Sequence, residues 1–163
     1  MTEKKSFLLR AKEIADSMQR FSHPSNFNSE ISWTRMGRVV GLKRTGVNFV
    51  VVPRGKESFI YHSHHREEEW IYILSGSGTA EIDGEEFEVS AGDFMGFPTP
   101  SVPHHLRNTG AENLVYLTGG ENLDVEIAEF PRQEKLLIRR GDNIQVFNTK
   151  DAKPFGALDN RQD

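Results

Sequence analysis

Cysteine is absent from the 163-residue chain, which excludes disulfide frameworks, Cys-ligated zinc, iron–sulfur clusters and thiol nucleophiles. Long apolar runs are absent too. The longest resemble Phe49-Val50-Val51-Val52, far short of the roughly 18 residues that mark a membrane-spanning helix. The opening MTEKKSFLLRAKEIAD starts basic, but Glu13 and Asp16 interrupt it before an apolar core forms, and no small-residue cleavage site follows. A secretory signal is not expected, and the chain reads as a soluble cytoplasmic protein. Net charge is only −4, with no basic stripe, which argues against nucleic acid or an anionic membrane surface as a partner. What is there is a globular composition with many turns: 36% hydrophobic, 27% charged, 14 Gly and 7 Pro, in a length suited to one domain. Six histidines is an ordinary number, yet five fall in two tight clusters, His62/His64/His65 and His104/His105. Without thiols, any metal or acid–base chemistry must use imidazole and carboxylate.

Phe7, Ala11, Ile14, Met18 and Phe21 recur at spacings of four and three, which predicts an amphipathic helix over 5–21, ended by Ser22-His23-Pro24. Residues 22–45 read as mostly irregular, with one short strand near 37–42. From Gly46 onward, short β-rich runs alternate with turn signals, as in a sandwich or barrel. The runs are 47–52, 58–64, 69–74, 79–82, 86–89, 94–97, 104–108, 114–118, 125–130, 135–139 and 144–147. Asp83-Gly84 between two of them is a strong two-residue hairpin signal. The expected organisation is a helical N-terminal arm over 1–22, an all-β barrel domain over 23–149 and a loose C-terminal tail over 150–163.

In His62-Ser63-His64, alternation on a strand points both imidazoles the same way. A hairpin turn at His65-Arg66-Glu67-Glu68 would set Glu69 opposite His64 and Ile71 opposite His62, with Tyr61–Tyr72 and Phe59–Leu74 pairs on the other face. Two imidazoles and a carboxylate on one face suit a first-row divalent metal with open positions. The bland alternative is a pair of solvated histidines beside a charged hairpin tip.

The order Gly55…His62-Ser63-His64, four residues, Glu69, six residues, Gly76 resembles the first motif of the cupin superfamily. Gly92, five residues, Pro98…His104, three residues, Asn108 resembles the second, and the likeness covers roughly residues 46–120. The chain is thus identified as a single-domain cupin with a type-2 cupin domain. That resemblance implies a small double-stranded β-helix, a jelly-roll relative, with His62, His64, Glu69 and His104 binding one divalent transition metal inside it. His104 is preferred to His105 because the motif spacing to Asn108 selects it and because strand parity turns His104 and Leu106 inward, His105 and Arg107 outward. His65 and His105 are then rim or outer-face residues. Two departures from the family pattern stand out: Gly55 precedes His62 by six residues rather than five, and Pro98-Thr99-Pro100 replaces a glycine in a loop one residue longer than usual.

Three imidazoles and one carboxylate accept Fe, Mn, Co, Ni or Zn and leave up to two octahedral positions for a small-molecule substrate with adjacent oxygens. No general base is legible; Arg66 and Arg107 are candidates to meet a substrate anion at the rim. Met95, Phe97, Ile71, Ile73 and Leu106 predict a largely apolar lining. Three activities remain open: a sugar or sugar-phosphate isomerase or epimerase, an Fe- or Ni-dependent dioxygenase, and a non-catalytic ligand-binding protein, the last favoured if the lining closes the cavity. Trp70, Tyr72, Leu74, Tyr61 and Phe59 predict an outer apolar patch, either inter-sheet core or the interface of a homodimer.

Overall fold

The computed structural model describes residues 7–153 and 156. In chain order these form α1 (Ala11–Asp16), β1 (Gln19–Phe21), β2 (Ile31–Thr34), α2 (Met36–Val40), β3 (Thr45–Val52), β4 (Ser63–His64), β5 (Glu69–Ser75), β6 (Ser77–Ile82), β7 (Glu85–Ser90), β8 (Phe94–Phe97), β9 (His104–Arg107), β10 (Leu114–Glu121), β11 (Val125–Phe130), β12 (Lys135–Arg140) and β13 (Asn143–Asn148). One layer is a six-stranded sheet in the order β1-β2-β3-β10-β5-β8. The facing layer is a four-stranded sheet, β13-β12-β11-β4, beside a three-stranded one, β7-β6-β9. Residues 57–64 stitch those two together, through single bridges Glu57↔Arg107 and His62↔His104 and through the β4–β11 pairing. The all-β expectation holds, and most predicted runs from 47 onward become strands within a residue or two.

Period-two alternation is why these segments are strands with one buried face. In β11, Glu126, Ala128 and Phe130 are buried while Val125, Ile127 and Glu129 are partly open. Inward side chains form two apolar clusters. The larger gathers Val50, Val52, Ile71, Ile73, Leu114 and Tyr116 from the six-stranded layer with Ala80, Val89 and Leu106 from the three-stranded sheet. The smaller is Ile60, Ala128 and Phe130, with Phe59 and Leu137 against it. Each fully buried aliphatic side chain contributes about 1.5–3 kcal/mol. The predicted lining residues Ile71, Ile73, Met95, Phe97 and Leu106 all belong to the larger cluster. Asp83 and Gly84, both at positive φ, make the expected tight turn between β6 and β7.

Four local expectations change. The N-terminal helix is confined to Ala11–Asp16 and buries none of its residues; Phe7 is exposed, and residues 5 and 6 lie outside the described residues. Phe21 instead belongs to β1, where pairing with β2 supplies ladder hydrogen bonds and its ring stacks on Phe59 at 5.7 Å. Near 37–42 the chain forms α2 rather than a strand, closed by Gly41 in the left-handed region at φ +86. The hairpin between 58–64 and 69–74 does not form. Both edges of β5 are taken by β10 and β8, so Ser63 and His64 pair with Glu129 and Ala128, and residues 65–68 cross between layers. The outer patch consequently splits: Tyr72 and Leu74 stay exposed on β5, while Tyr61 is buried on the other layer with the Arg132 guanidinium 4.1 Å above its ring. The expected loose tail over 150–163 falls mostly outside the described residues, which end with a short turn at Thr149–Asp151 followed by 152, 153 and 156.

Candidate metal centre

Facing layers, rather than a hairpin, bring the predicted ligands together. Glu69 points inward from the six-stranded sheet; His62, His64 and His104 point inward from the opposite layer. One ligand atom from each of His62, His64, Glu69 and His104 lies within 4.8 Å of the other three. Glu69 Oε2 is 2.9 Å from His104 Nε2, 3.2 Å from His64 Nε2 and 3.9 Å from His62 Nε2. Two donors held about 2.1 Å from one ion sit about 3 Å apart when cis and about 4 Å apart when trans, so these separations suit a single small cation. The lengthened Pro-rich loop does not pull His104 away.

The outward atom of each ligand has its own oxygen. His62 Nδ1 lies 2.6 Å from the Ile60 carbonyl and His104 Nδ1 lies 3.1 Å from that of Val102. A carbonyl only accepts, so each neutral ring carries its proton on Nδ1 and turns the Nε2 lone pair toward Glu69. Lone pairs then face a carboxylate oxygen with no proton to share, a donor set that calls for a cation. His64 Nδ1 faces Glu126 Oε1 at 3.4 Å, and Thr118 Oγ1 donates to Glu69 Oε1 at 2.9 Å. Outer partners of this kind orient metal-binding imidazoles and carboxylates. The His104 ring lies flat on Phe97 at 3.6 Å, and His62 meets Phe59 edge-on at 5.4 Å, so the four ligands sit at the junction of the two apolar clusters.

Titration follows from these contacts. Burial, reinforced by His104 and His64, pulls His62 down to about 3, so its imidazole is neutral at any ordinary pH. His64 is buried too, but the carboxylates of Glu69, Glu126 and Glu67 outweigh that and raise it. Burial opposes ionisation of Glu69, yet the imidazole rings of His104, His64 and His62 around it hold it well below the usual carboxylate range.

Glu126 went unread in the sequence, although a lone carboxylate in phase with Ala128 and Phe130 was a visible signal. Tyr116 is a second such residue, a buried interior phenol that burial and the Glu69 charge keep protonated. Of the remaining histidines, His65 is a rim residue 3.4 Å from Glu129. His105 does face away from the ligands, but it is buried rather than on a rim, 3.5 Å from Glu57. The expected substrate cations are committed elsewhere: Arg107 pairs with Glu86, and Arg66 donates to the Val125 carbonyl.

A groove of about 1030 Å³ is lined by Trp33, Gly46, Asn48, Glu67, Leu123 and Arg139 among others, and by none of the four candidate ligands. Asn48 pairs directly with Thr118, the residue that holds Glu69. Arg139 is cross-strand from Glu126 and pairs with Glu67.

A sequence model of the cupin domain matches residues 48–120. The chain is similar to a protein of Acidithiobacillus ferrooxidans provisionally named a sugar phosphate isomerase, with 34% identity and a TM-score of 0.86 over 92% of this chain and 97% of that one. It also shares the fold of a cupin-superfamily sugar phosphate isomerase from Silicibacter pomeroyi, at 23% identity and a TM-score of 0.74 over 88% and 95% of the two chains. Among curated proteins it is 42% identical over 60 residues to an uncharacterized protein of Methanocaldococcus jannaschii, covering 37% of this chain and 46% of that one. The chain spans less than half the length of the curated relatives it matches. Paired motifs, inward ligands, facing β layers and a full-length structural relative agree: the chain belongs to the cupin superfamily.

Proposed function

We propose that this cupin is a divalent-metal-dependent isomerase of sugar phosphates. The observation that carries the reading is the meeting of the Nε2 atoms of His62, His64 and His104 around one Glu69 oxygen. Likeness to the Acidithiobacillus ferrooxidans protein over nearly its whole length supports the substrate class. A bound divalent ion would supply Lewis acidity to a substrate carbonyl or enediol oxygen. Around it, Glu69 is anchored by Thr118, and His62 and His104 are held by backbone carbonyls. Tyr116, kept protonated, can donate a hydrogen bond but cannot serve as a base near neutral pH. Phe97, buried and stacked on the His104 ring, shields that side of the centre from water.

The test is metal analysis of the purified chain beside H62A/H104A, followed by incubation of the metal-loaded protein with aldose and ketose phosphates in deuterated water. Stoichiometric metal in the wild type alone, with deuterium appearing at the carbon next to the carbonyl, supports the reading. Oxygen uptake without exchange moves it to a dioxygenase, and tight substrate binding with neither makes it a binding protein. The exposed apolar side chains of β13, Ile144, Val146 and Phe147, support a homodimer. Light scattering at the monomer mass refutes that part. No helix among the described residues is long and apolar enough to cross a membrane.

A further inference from the structure

We propose that β13 is the strand through which two copies of this chain join, pairing antiparallel with itself so that two four-stranded sheets become one of eight strands. This inference rests on the homodimer named above and assigns its surface. The ends of a sheet are where chains meet, because an edge strand presents N–H and C=O groups without partners. Six strands end the three sheets: β1, β8, β13, β4, β7 and β9. Of these, β1, β4, β8 and β9 are two to four residues long. Among the described residues only β7 and β13 offer an edge of six. β7 guards its edge with Glu85, Glu86 and Glu88. β13 carries no charged residue and no proline, and all six of its residues are exposed, Ile144 at 58% and Val146 at 53%.

The hairpin fixes which groups of β13 are free. Gly141 and Asp142 form a two-residue turn between Arg140 and Asn143, with Gly141 at φ +57. The pair flanking such a turn exchanges both of its hydrogen bonds, and bonded and open pairs alternate from there. Asn143, Gln145 and Phe147 therefore bond to β12, and Thr149 keeps that phase by donating to the Glu134 carbonyl at 2.8 Å. Ile144, Val146 and Asn148 turn their N–H and C=O groups to the free edge. A two-fold axis beside Gln145 pairs them with a second copy: Ile144 meets the partner's Val146, Val146 the partner's Ile144, and Gln145 the partner's Gln145. Moving the axis by one residue would set Ile144 against the partner's Asn148, or Val146 against the partner's Asp142. Only the axis at Gln145 gives each β-branched side chain an apolar partner. It also continues a row that starts in the core, since Ala128, Leu137 and Val146 are neighbours across β11, β12 and β13. The occupant is a second copy because this edge is complementary to itself, apolar against apolar with no like charges opposed.

The absence of cysteine makes the pairing directly readable. The two Gln145 residues form an open pair, whose Cα atoms lie about 4.5 Å apart, within the span of about 4.4–6.8 Å that a disulfide accepts. Full-length Q145C treated with diamide at micromolar concentration should become a covalent dimer that reductant reverses. It should do so about tenfold or more faster than E88C, an exposed thiol on the other long edge strand. Light scattering should give twice the chain mass for the wild type and the single chain mass for I144K/V146K, with unchanged near-UV circular dichroism. If I144K/V146K misfolds, the cross-linking comparison decides alone. A dimeric wild type in which Q145C reacts no faster than E88C, or a folded I144K/V146K that stays dimeric, overturns the β13 pairing and keeps the homodimer. The interface then moves to another exposed apolar surface, such as Tyr72, Leu74 and Phe94. A wild type at the single chain mass removes both.

Discussion

Glu126→Gln isolates the contribution of an outer carboxylate to metal affinity. Glu126 Oε1 faces His64 Nδ1 at 3.4 Å and also accepts the His65 N–H at 3.1 Å. The glutamine oxygen can keep the backbone contact, so the substitution removes charge from behind His64 with little loss of anchoring. Losing such a partner typically lowers metal affinity about 10- to 100-fold, or about 1.4–2.7 kcal/mol. With Mn²⁺ at about 100 times the wild-type Kd, binding stabilises the wild type by about 2.7 kcal/mol. In the variant the same concentration is only about 1–10 times Kd, and the gain falls to about 0.4–1.4 kcal/mol. For a domain of this size that converts a metal-dependent rise in Tm of about 5–11 °C into about 1–6 °C. Differential scanning calorimetry with and without chelator reads both values, and the chelated samples report any cost to the metal-free fold. An equal metal-dependent rise in the two proteins refutes the role assigned to Glu126.

Stability of the metal-free protein should fall as pH drops below about 6.5. Burial holds His23, His62 and His105 below the ordinary imidazole value, so these rings are neutral when folded and take up protons on unfolding. His64 is raised and acts in the opposite sense, but alone against three. A urea midpoint no lower at about pH 5.5 than at about pH 7.5 contradicts this balance. Gly76 sits at φ +81, and a Cβ there would lie 2.3 Å from the Asn113 carbonyl oxygen. Gly76→Ala should therefore cost about 2–4 kcal/mol in strain and overpacking, measured by chemical denaturation. A loss under about 0.5 kcal/mol would mean the turn relaxes freely.

What was legible in the sequence is what alternation and spacing control. The preference for His104 over His105 follows from one residue of strand phase, and the structure turns them to opposite faces. Runs such as 94–97 and 125–130 coincide with β8 and β11 because each carries an apolar face at period two. Pairing partners were not legible. Residues 65–68 have the composition of a turn whether the chain doubles back or crosses to another layer, and only the occupancy of both β5 edges decides. The cations show the same limit: Arg66 and Arg107 are near the ligands in sequence but engaged elsewhere.

Glu69 is the only one of the four candidate ligands that belongs to the six-stranded sheet; His62, His64 and His104 come from the layer across from it. An ion at their centre is therefore a rivet through both walls of the fold. Glu69 and His104 are 35 residues apart in sequence, so the complete donor set exists only once the two layers have closed on each other. Metal capture at this candidate site would then be a late event in assembly, and loading would report on closure. Withdrawing the ion should loosen one wall against the other before either sheet frays, with amide exchange accelerating first along residues 57–64, the seam that joins the layers.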